Sequence, residues 1–408
     1  MYLTRLTVFA LGAAIVSAGH ADAGLPRYEA AFHAKFVPAD GVAEVRITIR
    51  QAAGELIRLD LAAPPERFQD FATDGMLERT GNRVVWEVPT NGGVLTYRAQ
   101  IDHRREHDSD AAPYDARMTK HWALLRLGDV FPPAQTRSRV NARSASTLSL
   151  SGPSQWSFES RYGAVRHSIP IDDPQRRFDR PTGWLVAGEI GVRREIIMNR
   201  RVSIAAPTGE GSRRIDTLAF LRWTLPTLIE VFPEFPPRLL IASAGSPMWR
   251  GGLSGPSSLF LHADRPLISE NGTSTVLHEL VHVATSDRFD DAADWIVEGL
   301  AEYYALEVLR RSGGLSERRF RHALDTLRSW AETADGRLRE PSRGADTARA
   351  VLVLDALATE LNAGGTSMDT VIARLPASRR LDLAQLRRVV AAQLGKPSKV
   401  LAAVQEVR

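Results

Sequence analysis

The chain has 408 residues, a formal net charge of +4, 44% apolar and 25% charged residues, and no cysteine. The length exceeds what one small core serves and implies roughly two or three domains; the composition excludes a fibrous or wholly disordered chain. The missing cysteine excludes disulfides, thiolate nucleophiles and cysteine zinc sites, leaving histidine and carboxylate as metal ligands.

The basic residues are nearly all arginine, in scattered doublets such as Arg193-Arg194 and Arg387-Arg388 with acids interspersed. That pattern reads as a solvated surface, and no segment alternates basic and aromatic residues as a nucleic-acid groove would. Residues 1–23 read as a signal peptide. Arg5 supplies the charge, Leu6 to Ala18 form the apolar run, and Ala21-Asp22-Ala23 is the small-x-small cleavage pattern, so the mature chain would begin at Gly24. An uncleaved anchor is the alternative. No later stretch approaches the apolar length of a spanning helix, so no stable membrane span is expected after cleavage. The expected location is exported, periplasmic or secreted.

Residues 24–175 are expected to form a β-rich, sandwich-like domain. Val42–Arg50, Leu56–Leu61, Arg83–Val88 and Val94–Ile101 carry short period-2 patterns separated by Pro, Gly and Asn, and Ser146–Phe158 adds one or two strands. His103–Thr119 is polar and reads as a loop. The prolines between 170 and 191 suggest a domain boundary near 175. Residues 176–312 then form a second domain. Thr217–Phe232 has helical spacing, Arg238–Ala242 and Ser257–Ala263 read as strands, and Thr275–Thr285 and Ala292–Arg311 read as helices. Residues 313–408 are a helical region, with helices near 316–332, 346–362, 368–374 and 382–394, two of them stopped by Gly313-Gly314 and Gly364-Gly365. Six of the eight tryptophans, the dispersed Trp86, Trp156, Trp184, Trp223, Trp249 and Trp330, read as core.

The chemistry concentrates in His278-Glu279-Leu280-Val281-His282. Positions i and i+4 share a helix face, so both imidazoles can grip one metal while Glu279 stands beside an open coordination position. Neutral imidazole suits Zn²⁺. The bland alternative is a helix with two unrelated histidines. Against it, Val276, Leu277, Leu280, Val281 and Val283 make the helix apolar on most sides, and buried polar groups need partners. On the next helix Glu298 and Glu302 also stand at i and i+4. Glu298 is a candidate third ligand, and Glu302 a candidate acceptor for a ligand imidazole. Asp294 is a weaker ligand candidate, and an ordinary solvated acidic stripe is the alternative for the pair.

The His-Glu-x-x-His helix, followed by Glu298-Gly299 and Tyr303-Tyr304, resembles the gluzincin metallopeptidases, in particular the glycyl-aminopeptidase-like family and relatives of the aminopeptidase N type. The resemblance implies an α+β chain: a β-rich domain, a thermolysin-like zinc peptidase domain and a helical C-terminal region. It implies one Zn²⁺ on His278, His282 and Glu298, Glu279 as base, and a peptide or protein substrate. Those families carry a Gly-Gly-x-Glu type segment whose glutamate holds the substrate's amino group. Here it reads Gly251-Gly252-Leu253-Ser254, the implied substrate-binding residues, with Ser254 in the glutamate's place. The link 283–297 between His282 and Glu298 is a few residues shorter than in aminopeptidase N relatives, which makes Ser286–Asp291 a tight polar loop. No tyrosine follows Tyr304 to stabilise an oxyanion, which leaves Arg343 or Arg349 as substitutes. Ser257–Leu261 reads either as the edge strand along which a peptide adds or, equally well, as a plain core strand. The expected function is an exported zinc metallopeptidase. The alternatives are a catalytically weak relative serving as an envelope binding or scaffold protein, or a zinc amidase acting on cell-wall peptide.

Overall fold

The computed structural model describes residues 26–105, 113–171, 178–285, 293–333, 337–339, 341–375 and 381–407. The expected signal segment and the Ser286–Asp291 loop lie outside them. The chain is α+β, with β-sheets first and helices last.

The N-terminal part is a stack of β-sheets. One six-stranded sheet runs, in spatial order, Ile169–Ile171, Arg143–Ser151, Arg27–Val37, Val42–Arg50, Gly92–Gln100 and Phe68–Thr73. A second six-stranded sheet includes Ser157–Ser160, Trp184–Gly188, Trp122–Arg126 and Tyr114–Met118. A four-stranded sheet joins Ala134–Ser138, Leu56–Ala62, Arg83–Glu87 and Met76–Thr80. Alternation decides which face goes inward. Phe32, Ala34 and Phe36 on one strand and Val45, Ile47 and Ile49 on its neighbour are buried, while the residues between them face outward. Burying each such Ile or Phe contributes roughly 1.5–3 kcal/mol.

Three expectations need correcting here. Tyr114–Met118, within the expected loop, is a strand, because it pairs with Trp122–Arg126. The strand Trp184–Gly188 belongs to the N-terminal stack, so the sheets change between Gly188 and Ile190 and not near 175. Trp223 and Trp330 are 41% and 51% exposed and are not core residues.

The second domain is built on a five-stranded sheet in the order Ile190–Ile197, Arg200–Pro207, Arg238–Ala244, Ser258–His262, Gly252–Gly255. Its middle strands pair in parallel and its two outer strands antiparallel. The outer hairpin turns at Met198 and Asn199, both with positive φ (46° and 59°), the conformation of a tight hairpin turn. The edge strand beside the helices is Gly252–Gly255. Ser258–His262 is flanked on both sides and every residue of it is buried, so the core-strand reading holds and the edge reading does not.

The helices Arg214–Val231 and Thr275–Thr285 pack on this sheet, Asp294–Arg311 packs on Thr275–Thr285, and Glu317–Ala331, Ala345–Ala363, Met368–Arg374 and Leu383–Leu394 extend the core toward the C-terminus. No described helix is long and apolar enough to cross a membrane.

Candidate metal centre

The helix Thr275–Thr285 is apolar on nearly every side, with Val276, Leu277, Leu280, Val281 and Val283 buried in the main core. This burial fixes the helix and aims His278 and His282 at the helix Asp294–Arg311. The two helices pack against each other, and Glu298 and Glu302 meet the imidazoles across the seam.

His278 Nε2 and His282 Nε2 stand 3.0 Å apart. Glu298 Oε2 is 3.5 Å from His278 Nε2, and Glu298 Oε1 is 3.4 Å from His282 Nε2. Ligand atoms on a tetrahedral zinc with bonds of about 2.0–2.2 Å are separated by about 3.3–3.6 Å. The three donors therefore fit three corners of such a site, and among the described residues they form the one histidine–carboxylate group compact enough to hold an ion. Glu302 Oε2 lies 3.0 Å from His278 Nδ1. That contact holds a proton on Nδ1, so that Nε2 is the nitrogen the neutral ring would offer to a metal.

Charge in the metal-free cluster is unevenly shared. Burial opposes a charge on His278, but hydrogen bonds and attraction from Glu298 and Glu302 outweigh it and push its pKa up to about 10. Burial and the neighbouring His278 charge push His282 down to about 4. Burial works to raise the Glu298 carboxyl, yet the His278 hydrogen bond and both imidazole charges hold it below the usual range.

Glu279 is 8% exposed. Burial raises its carboxyl above the usual range, partly opposed by the His278 charge and by hydrogen bonds from the hydroxyl and backbone N–H of Ser254. The edge strand makes those bonds possible. His262 N–H donates to Gly251 O at 3.0 Å. In an antiparallel pair the bonded residues alternate, so Gly252 and Ser254 turn their backbone groups to the free side. Gly252 is a steric necessity. A Cβ there would lie 2.8 Å from Glu279 Cγ and 2.7 Å from Thr275 Cγ2.

Every residue expected at the site is thus placed. His278, His282, Glu298, Glu279 and Glu302 converge, and Gly252, Leu253 and Ser254 form the edge strand beside them, with Gly251 just before it. The other candidates have partners or surroundings of their own. Asp294 accepts a hydrogen bond from Ser342 N and is outside the ligand group. Arg349 donates to Ala331 O at 3.5 Å, in a groove lined by Ala331, Leu338 and Leu352. Arg343 is exposed, next to the Ser342 that bonds Asp294. Trp184 is a contributor that sequence reasoning assigned only to the core. Its indole N–H donates to Leu253 O at 2.9 Å, and its backbone N–H donates to Ser258 Oγ at 2.9 Å. A lone tryptophan in sequence carries no signal of that task.

Comparison of shape identifies the fold. An aminopeptidase N family protein from Idiomarina loihiensis superposes with a TM-score of 0.65 at 13% identity, over 91% of this chain and 72% of that one. An M1 zinc metallopeptidase from Deinococcus radiodurans, determined with a Tyr-Ser-Ala substrate, gives 0.57 at 17% identity over 93% and 92%. Native leukotriene A4 hydrolase from Saccharomyces cerevisiae gives 0.55 at 13% identity over 92% and 66%. The fold is that of the M1 zinc metallopeptidases. No protein-family model and no curated protein matches the sequence.

Proposed function

We propose that this chain is an exported, zinc-dependent metallopeptidase with Glu279 as its general base. The observation that carries the reading is the juxtaposition of three matched donors, His278, His282 and Glu298, with a buried carboxylate one residue along the same helix. A zinc ion held by those donors would supply Lewis acidity, polarising a carbonyl and acidifying a water molecule.

The protein's own groups do the rest. Glu279 takes the proton from the attacking water as its oxygen forms a bond to the carbonyl carbon. The same carboxyl then gives that proton to the departing amine as the C–N bond breaks. Glu298 binds, and Glu302 orients His278. Gly252–Gly255 offers a free strand edge to an extended peptide.

Ser254 bears no charge, so an α-ammonium group finds no carboxylate at that position. We therefore propose cleavage that does not depend on a free amino terminus. A set of peptides offered both free and N-acetylated tests this, alongside Glu279→Gln. Zinc-dependent cleavage of both forms, lost in the variant, supports the reading. Cleavage of the free forms alone would sink the substrate proposal, and no cleavage at all would favour the reading as an envelope binding protein. That second reading draws on the absence of any tyrosine after Tyr304. Export rests on the N-terminal sequence alone, and amino-terminal sequencing of the protein recovered outside the cytoplasm tests it.

A further inference from the structure

We infer that a cavity between the N-terminal stack and the five-stranded sheet binds a small oxyanion of the phosphate class, held by Arg161, Arg201 and Arg238. It stands on the opposite face of the sheet from the metal helices, and it serves this role whether or not the chain cleaves peptides.

The cavity encloses about 440 Å³. Its floor is one face of the sheet. Along Arg200–Pro207, Val202 and Ile204 point into the core shared with the metal helices, so Arg201 and Ser203 point the other way. Register carries that face across the neighbouring strands. Arg201 stands opposite Arg238 on one side and Ile196 on the other, and Ser203 stands opposite Arg194. The roof is the hairpin that pairs Ser157–Ser160 with Gly163–Ala164 and turns at Arg161 and Tyr162.

Charge inside is unbalanced. Glu159, 1% exposed, is matched by Arg194, which donates to both of its carboxylate oxygens. Glu195 borders the cavity too, but it lies one residue along from Arg194, on the other face, and accepts from Arg222. The remaining cations have no acid. Arg238 donates to the backbone carbonyl of Tyr162. Arg161 donates to the Ser257 hydroxyl at 3.4 Å and lies 4.5 Å over the Tyr162 ring. The Arg201 guanidinium has no hydrogen-bond or ion-pair partner among the described residues. Two features make this arrangement costly when empty. Arg201 and Arg238 are like charges directly opposite on adjacent strands, which is destabilising. Arg161 Nε is buried with no acceptor, and a buried donor left unmatched carries a desolvation penalty. An oxyanion in the cavity relieves both. A guanidinium presents a planar fork that matches two oxygens, so three of them exceed what one carboxylate offers and suit a tetrahedral group with oxygens on several sides.

Calorimetric titration of inorganic phosphate into the full zinc-loaded chain, at ionic strength held constant with chloride, tests the site. We expect saturable binding of one phosphate per chain, with acetate weaker by about tenfold or more. Removing one charged hydrogen-bonding partner costs on the order of tenfold in affinity. Arg201→Ala should therefore weaken phosphate by about tenfold or more, and Arg201→Lys, which keeps the charge and loses the fork, should recover part of it. Arg201 is exposed, so an unchanged melting temperature in chloride should accompany these losses. Glu298→Ala should bind phosphate as the wild type does. Binding lost in Glu298→Ala and kept in Arg201→Ala would place the anion on the metal and overturn the assignment. Acetate binding as tightly as phosphate would overturn the ligand class. No saturable binding at millimolar phosphate would leave these arginines a solvated surface and sink the site.

Discussion

His278 and His282 point their Nε2 atoms at one another across 3.0 Å. Two neutral imidazoles with both lone pairs inward would repel, and one proton between them satisfies a single hydrogen bond while Glu298 waits beside both rings. A divalent cation resolves all three at once. Glu298→Ala should therefore reduce tightly held zinc from one equivalent per chain to well below it, measured by elemental analysis of protein purified without chelator. Full zinc occupancy in the variant would remove Glu298 from the ligand set.

Glu302 does not need to touch the metal to matter. Its bond to His278 Nδ1 fixes the ring and its tautomer. Glu302→Gln should weaken zinc binding by about 10–100-fold without abolishing it. Competition with a chromogenic chelator reads this directly, and an affinity equal to wild type would mean the contact has no orienting role.

Glu279→Gln should behave in the opposite sense. Zinc content should stay at the wild-type level, because the side chain is not a ligand, while the rate falls by about 10²–10⁴-fold. Retained turnover would require another base.

Metal uptake should depend on pH in a defined direction. In the metal-free protein His278 is held charged, with a pKa pushed up to about 10, and a metal accepts only the neutral ring. Between roughly pH 6 and 9 zinc must displace that proton, so affinity should rise as pH rises through this window. Calorimetry at about pH 7 in buffers of different ionisation enthalpy should show proton release close to one per zinc. Binding without proton release would contradict the charged state of His278.

Gly252→Ala should be poorly tolerated. The added methyl meets Thr275 and the Glu279 stem at 2.7 and 2.8 Å. Overpacking of this kind costs about 1–3 kcal/mol, and here it also displaces the base. A lowered melting temperature together with a lowered kcat is the expected result. A variant with normal kcat would show that the strand moves aside freely.

The metal site is legible in the sequence because its chemistry is local: two i, i+4 pairs on strongly apolar helices leave few arrangements. The helices of the C-terminal region are legible for the same reason, aided by caps such as Ser316, Ser367 and Asp382, each accepting from a backbone N–H three residues on. The edge strand is not. Gly252–Gly255 has two glycines in four residues and reads as a loop, since glycine is depleted in strands. Only pairing with Ser258–His262 makes it a strand. The hairpin from Ile190 to Pro207 escapes sequence reading because Arg193-Arg194 interrupts its alternation and its turn, Met198-Asn199, lacks the usual glycine. The M1 fold as a whole lies in such long-range pairings.

Trp184 governs how the molecule can be cut. It sits on the N-terminal stack, yet its indole holds Leu253 and its backbone holds Ser258. The metal helices draw on contacts within the second domain, whereas the edge strand proposed to receive the substrate is fastened from the first. A fragment beginning at Ile190 would thus keep its ion-binding pair of helices and lose the alignment of the strand above them. Truncation should separate metal capture from turnover, making the β-rich domain a structural part of the catalyst and not a detachable neighbour.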